Sequence, residues 1–131
     1  MDPDTRAAIV NILSDHTFCV EVGIGQNTAI AETLVEKDIP LRATDIQFRE
    51  TPENVEFFID DICDPNYEIY APADAMYSLN LPRELHQAFI DVANTVDASC
   101  YFTTLGNDQP AISVARKQIP YDILYSKNMR E

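Results

Sequence analysis

The sequence is poor in glycine, in lysine and in paired cysteine. Three glycines serve 131 residues, and two of them, Gly23 and Gly25, stand two apart. Lysine occurs only at Lys37, Lys117 and Lys127. With 9 basic against 22 acidic residues, the formal net charge is −13. This balance excludes duplex nucleic acid as a default partner, because such binding depends on Lys and Arg neutralising phosphates. Three cysteines, odd in number and without paired spacing, argue against a disulfide framework or a zinc module. No apolar run reaches the roughly 20 residues a membrane span needs. The N-terminal stretch MDPDTRAAIV is acidic and lacks the apolar core of a secretory signal. A soluble, reduced, cytoplasmic protein is expected.

What is present is ordinary for a folded domain. Hydrophobic residues make up 46% and charged residues 24%. That suits a single domain over residues 1–131, with no repeat, linker or low-complexity tract. The acidic excess fits a highly soluble domain. More sharply, it fits adaptation to multimolar salt, where screening removes the self-repulsion of many carboxylates.

Strand and helix patterns alternate along the chain. Asp2 and Pro3 are an N-cap and first-turn proline for a helix over 3–14. FCVEVGI (18–24) is a buried strand, and Asn27 or Thr28 caps a helix to about Lys37. LRATDI (41–46) and VEFFID (55–60) are strands, joined by a polar loop or a single turn. DPNYEIYAPA is a loop or broken turn, with Pro65 and Pro72 as breakers. DAMYSL (74–79) is a strand, and Pro82 opens a helix to about Val96. SCYFTTL (99–105) is a fifth strand, followed by a turn at Gly106, Asn107 and Asp108. ISVAR (112–116) and YDILY (121–125) form a final hairpin around Pro120. The alternation predicts a Rossmann-like three-layer α/β/α domain with a mostly parallel sheet of order 3-2-1-4-5. The C-terminal β-hairpin extends its edge, and the helix after the second strand is shortened or missing.

Gly23 and Gly25 fall at the carboxyl end of the first strand, before a helix N-terminus. Glycines there permit a tight turn and close approach of backbone N–H groups to a ligand. Glu21 stands two positions before Gly23. A carboxylate inside a buried strand is costly unless hydrogen-bonded. Asp45 ends the second strand, where an acidic side chain can accept hydrogen bonds from both ribose hydroxyls. The third glycine of a dinucleotide fingerprint would fall at Thr28, so NAD is the less favoured ligand.

Glu21-Val22-Gly23-Ile24-Gly25 resembles the first motif of the class I S-adenosylmethionine-dependent methyltransferases. That resemblance implies S-adenosylmethionine as cofactor, with Glu21 near the methionine amino group. It places Gly23 and Gly25 along the cofactor and Asp45 on the ribose. Asp60 and Asp61 then take the place after the third strand, near the adenine. The third glycine common in that motif is Asn27 here. VEVGIG, ATDI, DDICDPN and YEIYAPADAMYSLNLPREL together resemble an uncharacterised archaeal family of short Rossmann-type proteins. This wider resemblance covers nearly the whole chain and implies the fold rather than an activity.

Other candidates carry less. Asp60, Asp61 and Asp64 suggest a metal site only if they converge, and none is expected. Cys19 and Cys100 lie in central strands as small core residues. Cys63 is less buried, and no base is evident for a nucleophilic thiol. His16 and His86 are expected at the surface. Tyr77, Ser78 and Asn80 end the fourth strand, which faces the methyl acceptor in the methyltransferases. Two functions remain open: a methyltransferase whose acceptor pocket needs a partner or homodimer, and a non-catalytic adenosine-ligand or NAD-binding regulatory module.

Overall fold

The computed structural model describes residues 1–106, 108–110 and 112–128. Among these residues seven strands form one sheet: β1 (Cys19–Val22), β2 (Leu41–Asp45), β3 (Val55–Ile59), β4 (Ala75–Leu81), β5 (Ser99–Thr104), β6 (Ala115–Ile119) and β7 (Asp122–Lys127). Four α-helices among the described residues accompany them: α1 (Pro3–Leu13), α2 (Ala29–Glu36), α3 (Tyr67–Tyr70) and α4 (His86–Val96). The order is β3-β2-β1-β4-β5-β7-β6. The first five strands are parallel, and β7 and β6 continue antiparallel. The expected 3-2-1-4-5 arrangement with an edge hairpin is therefore present. The returning strand β7 is the one that pairs with β5, which leaves β6 outermost, with four of its five residues exposed. The predicted turn residue Asn107 lies outside the described residues.

Side-chain alternation divides the core into two layers. Cys19 and Tyr77 face α1 and α2, beside Ile9, Leu13, Ile30 and Leu34. Val20, Val22 and Met76 face the other way, onto α3, α4 and Phe102. α1 starts as its sequence dictates: Asp2 accepts from the Asp4 N–H at 2.7 Å, with proline in the first turn. The Thr5 hydroxyl donates to the Pro120 carbonyl and ties α1 to the hairpin turn.

Three local expectations are corrected. DPNYEIYAPA, expected as a loop or broken turn, contains a regular one-turn helix, α3. Such a short helix is marginal alone. Here Asn66 caps it by accepting from the Glu68 N–H, and the Arg42 guanidinium donates to the Glu68 and Ile69 carbonyls. The helix expected from Pro82 is instead a 3₁₀ turn over Arg83–Leu85 followed by α4, and β4 runs on to Leu81. His86 is not at the surface. It is 1% exposed, packs on Phe102 with ring centroids 4.8 Å apart, and its Nε2 donates to the Leu81 carbonyl at 2.9 Å. Three and four residues before Phe89 and Ile90, it lies on the buried stripe of α4.

Candidate functional site

The carboxyl ends of β1, β2, β3 and β4 surround a cleft of about 220 Å³. Its floor is Val22, Gly23 and Thr44. Ile46, Ile62, Leu79 and Leu85 give it apolar walls, and Asp45 and Asp60 stand among them. Among the described lining residues there is no Lys or Arg.

The glycine turn is built by hydrogen bonds to β2. Gly23 and Gly25 adopt φ of 68° and 58°, the left-handed region that a side chain rarely enters. The Gly23 and Ile24 N–H groups both donate to the Thr44 carbonyl, at 2.9 and 3.0 Å. The Gly25 N–H donates to Asp45 Oδ2 at 2.9 Å. These amides face the protein rather than presenting the expected ligand cradle. Thr28 is the N-cap position of α2, without a side-chain cap bond; Asn27 Oδ1 accepts from the Ala29 N–H instead.

Asp45 is nearly buried and heavily engaged. Its Oδ2 also accepts from Arg49 Nε at 3.4 Å, and its Oδ1 accepts from the Gln47 N–H at 3.3 Å. Asp60 lines the cleft while accepting from the Asn66 N–H and, at 2.6 Å, from the Tyr70 hydroxyl. That bond and burial push the Tyr70 phenol well above its ordinary range, burial being the larger cause. Asp61 is exposed, and its Oδ1 accepts from the Cys63 N–H in its own loop. Asp60 faces the cleft; Asp61 does not line it.

Glu21 is 1% exposed and does not line the cleft. Paired with Tyr77 across β1 and β4, it lies behind the glycine turn. The Tyr77 hydroxyl donates to Oε1 at 2.7 Å, and Oε2 has no hydrogen-bond partner among the described residues. Burial pushes the Glu21 carboxyl up to about 8, partly offset by the Tyr77 bond. Tyr77 in turn is pushed well above its ordinary value, by burial first and the Glu21 charge second. The hydrogen-bond partner that Glu21 has is a tyrosine 56 residues away in the sequence.

Burial pushes Cys19 up to about 12 and Cys100 up to about 11, which makes both poor nucleophiles. Cys63 is exposed. His16 bridges Asp74 and the Tyr101 hydroxyl at the opposite end of the sheet. Ile46, Leu79, Leu85 and Arg49 were not among the site residues expected from the sequence, Leu85 being read as part of an apolar helix face. The available signal for Ile46 was an isoleucine directly after a strand-ending acid, where it stands 73% exposed.

This fold and this chain have relatives. The model of an uncharacterised protein family, UPF0146, matches residues 4–128. The chain belongs to the UPF0146 family. A UPF0146 protein of the archaeon Halobacterium salinarum is 42% identical over 116 residues, 88% of each chain. Among solved structures, the methyltransferase domain of bacterial CtHen1-CN superposes with a TM-score of 0.69 at 14% identity, covering 94% of this chain and 96% of that one. The N-terminal domain of EvdMO1 with SAH bound gives 0.61 at 18% identity, covering 90% and 59%. At such identities the likeness speaks for the fold, a Rossmann-like methyltransferase fold. No described helix is long and apolar enough to cross a membrane.

Proposed function

We propose that this UPF0146 chain binds an adenosine-containing ligand at the cleft, S-adenosylmethionine in preference to NAD. The observation that carries the reading is the Asp45 carboxylate, fixed by the Gly25 N–H on the rim of an apolar cleft at the strand ends. Asp45 suits ribose hydroxyls, Ile46 and Ile62 suit the faces of an adenine ring, and Asp60 offers an acceptor nearby. The cleft's 220 Å³ is below the roughly 300 Å³ at which complete ligand pockets begin, so it suits the nucleoside part.

Two features favour a sulfonium ligand over a dinucleotide. The described residues that line the cleft include two carboxylates, Asp45 and Asp60, and no Lys or Arg, Arg49 reaching Asp45 from outside the lining; this suits a cation better than a pyrophosphate. The Gly23, Ile24 and Gly25 amides that would cradle a pyrophosphate already donate to Thr44 and Asp45. When bound, the sulfonium supplies a methyl group for in-line displacement, a reaction that asks mainly for positioning. Glu21, buried behind the turn, has a supporting role in this reading.

Calorimetric titration in high salt with S-adenosylmethionine, S-adenosylhomocysteine and NAD tests it. Saturable binding of the first two is expected. NAD binding alone, or no binding of any of the three, overturns it. A second reading, a non-catalytic module that passes ligand occupancy to a protein partner, is favoured by Ile46, Phe48 and Ile59. These stand 73%, 69% and 62% exposed on the β2–β3 side. Turnover with a methyl acceptor separates the two readings.

A further inference from the structure

We propose that Arg49 competes with the ligand's ribose for Asp45, so that the free protein caps its own nucleoside site. This inference rests on the nucleoside reading above. It follows from counting acceptor positions. A carboxylate offers about four lone-pair sites, two on each oxygen. On Asp45, Oδ2 takes the Gly25 N–H at 2.9 Å and Arg49 Nε at 3.4 Å, which fills it. Oδ1 takes the Gln47 N–H at 3.3 Å, which leaves one position. Two ribose hydroxyls donating together need two. One existing donor must therefore leave before the ribose can be held at both oxygens.

Arg49 is that donor. Gly25 and Gln47 donate from the backbone, and Gly25 is fixed by the turn that also bonds Thr44. Arg49 makes the longest of the three contacts and its side chain is 25% exposed. It also has somewhere to go. An open recess of about 460 Å³ lies beyond the turn, lined by Gly25, Gln26, Phe48, Arg49 and Glu50. Glu50 offers the displaced guanidinium a second carboxylate there. Arg49 is thus an affinity- and specificity-determining residue. A ligand with both ribose hydroxyls displaces it, and a ligand lacking one gains nothing from its departure.

The competition is electrostatic and partly exposed, so salt weakens it. Removing Arg49 should therefore tighten ribose binding, the reverse of what a ligand-contacting arginine would do. A pair of this exposure limits the gain to about five-fold at low salt.

The test compares wild type, R49Q, R49K and D45N, each checked for folding by thermal unfolding. Adenosine and 2′-deoxyadenosine are titrated by calorimetry or ligand-observed NMR at low and high salt. Both probes are neutral, so salt acts on the protein pair rather than on the ligand. The expected result has three parts. R49Q binds adenosine up to about five-fold more tightly than wild type at low salt. The gain vanishes for 2′-deoxyadenosine and shrinks at high salt, and R49K falls between. Equal or weaker adenosine binding by R49Q, with D45N still impaired, overturns the competition and leaves the nucleoside reading standing. An equal gain for both nucleosides also overturns it, because Arg49 then acts elsewhere. No binding to any variant overturns the inference together with the reading beneath it.

Discussion

Between β1 and β4 two carboxylates sit at opposite ends of the same strand pair, and the protein treats them oppositely. At the amino end, Asp74 accepts from the Thr17 and Phe18 N–H groups at 3.0 and 2.9 Å and from His16. Burial by itself would raise its pKa, but the bonds from Phe18, Thr17 and His16 outweigh it and hold the carboxyl below its ordinary value. At the carboxyl end, Glu21 has among the described residues a side-chain bond from Tyr77 and one oxygen without a partner, and burial drives its pKa up. The foot of the sheet is arranged for stability. The end that carries the glycine turn keeps a costly, incompletely satisfied group directly behind the candidate site. Such departures from polar satisfaction concentrate where function constrains a fold.

The largest expected effect lies in Glu21. Its folded pKa is raised above the ordinary value, so the folded state holds the proton longer than the unfolded chain. Stability is then full below about pH 4.5 and declines as pH rises toward 8. Glu21→Gln, neutral throughout, should remove that decline and gain up to about 4 kcal/mol over wild type at pH 8. Denaturant unfolding at pH 5 and pH 8 measures it; equal pH slopes in the two proteins would erase the contrast between the sheet ends.

Asp74 should show the opposite sign. Its folded pKa is depressed, so its contribution is present above the ordinary value of 3.8 and is lost as pH falls through the folded value. Asp74→Ala should cost about 2–3 kcal/mol at pH 7, the loss of charge-assisted bonds to two backbone amides. The same denaturation series should find the deficit narrowing in strong acid, and a deficit constant with pH would contradict the assignment.

The remaining two predictions sharpen the boundary between architecture and binding. Asp45→Ala should weaken adenosine-ligand binding by about 1–3 kcal/mol, the cost of stranding ribose hydroxyls. Calorimetry with S-adenosylhomocysteine reads this, and unchanged affinity would place the site elsewhere. Gly23→Ala should have the smallest effect on stability, about 1 kcal/mol, from a side chain held at positive φ. Among the described residues, no atom beyond the glycine and its two chain neighbours lies within 4 Å of the added carbon, so the cost is conformational rather than steric. If binding falls by much more than stability, the glycine serves a ligand. If the two fall together, it serves the turn.

Much of this was legible locally. Asp2-Pro3 marked α1, the paired glycines marked the turn, and alternating strand and helix patterns marked a parallel sheet. The acid that ends ATD, Asp45, was legible as lying beside the turn, where it accepts from the Gly25 N–H. Its partners were not legible, because which donor reaches Oδ1 or Oδ2 depends on how residues 25, 47 and 49 converge. His86 was misplaced for a related reason. Its polarity outweighed its position on the α4 stripe, whereas the Leu81 carbonyl gives its ring a buried partner. The helix α3 escaped notice because its cap is local but its carbonyl partner, Arg42, lies on β2.

By itself the sequence determined the order and type of the main elements, the glycine turn and the acidic character of the rim. These follow from periodicity, backbone freedom and charge, all properties of short stretches. Only the tertiary structure decided that β7 rather than β6 joins β5, that Glu21 meets Tyr77, and that Arg49 lies against Asp45. Those outcomes depend on hydrogen bonds and burial between side chains or strands that the fold brings together, and no local pattern encodes the partner.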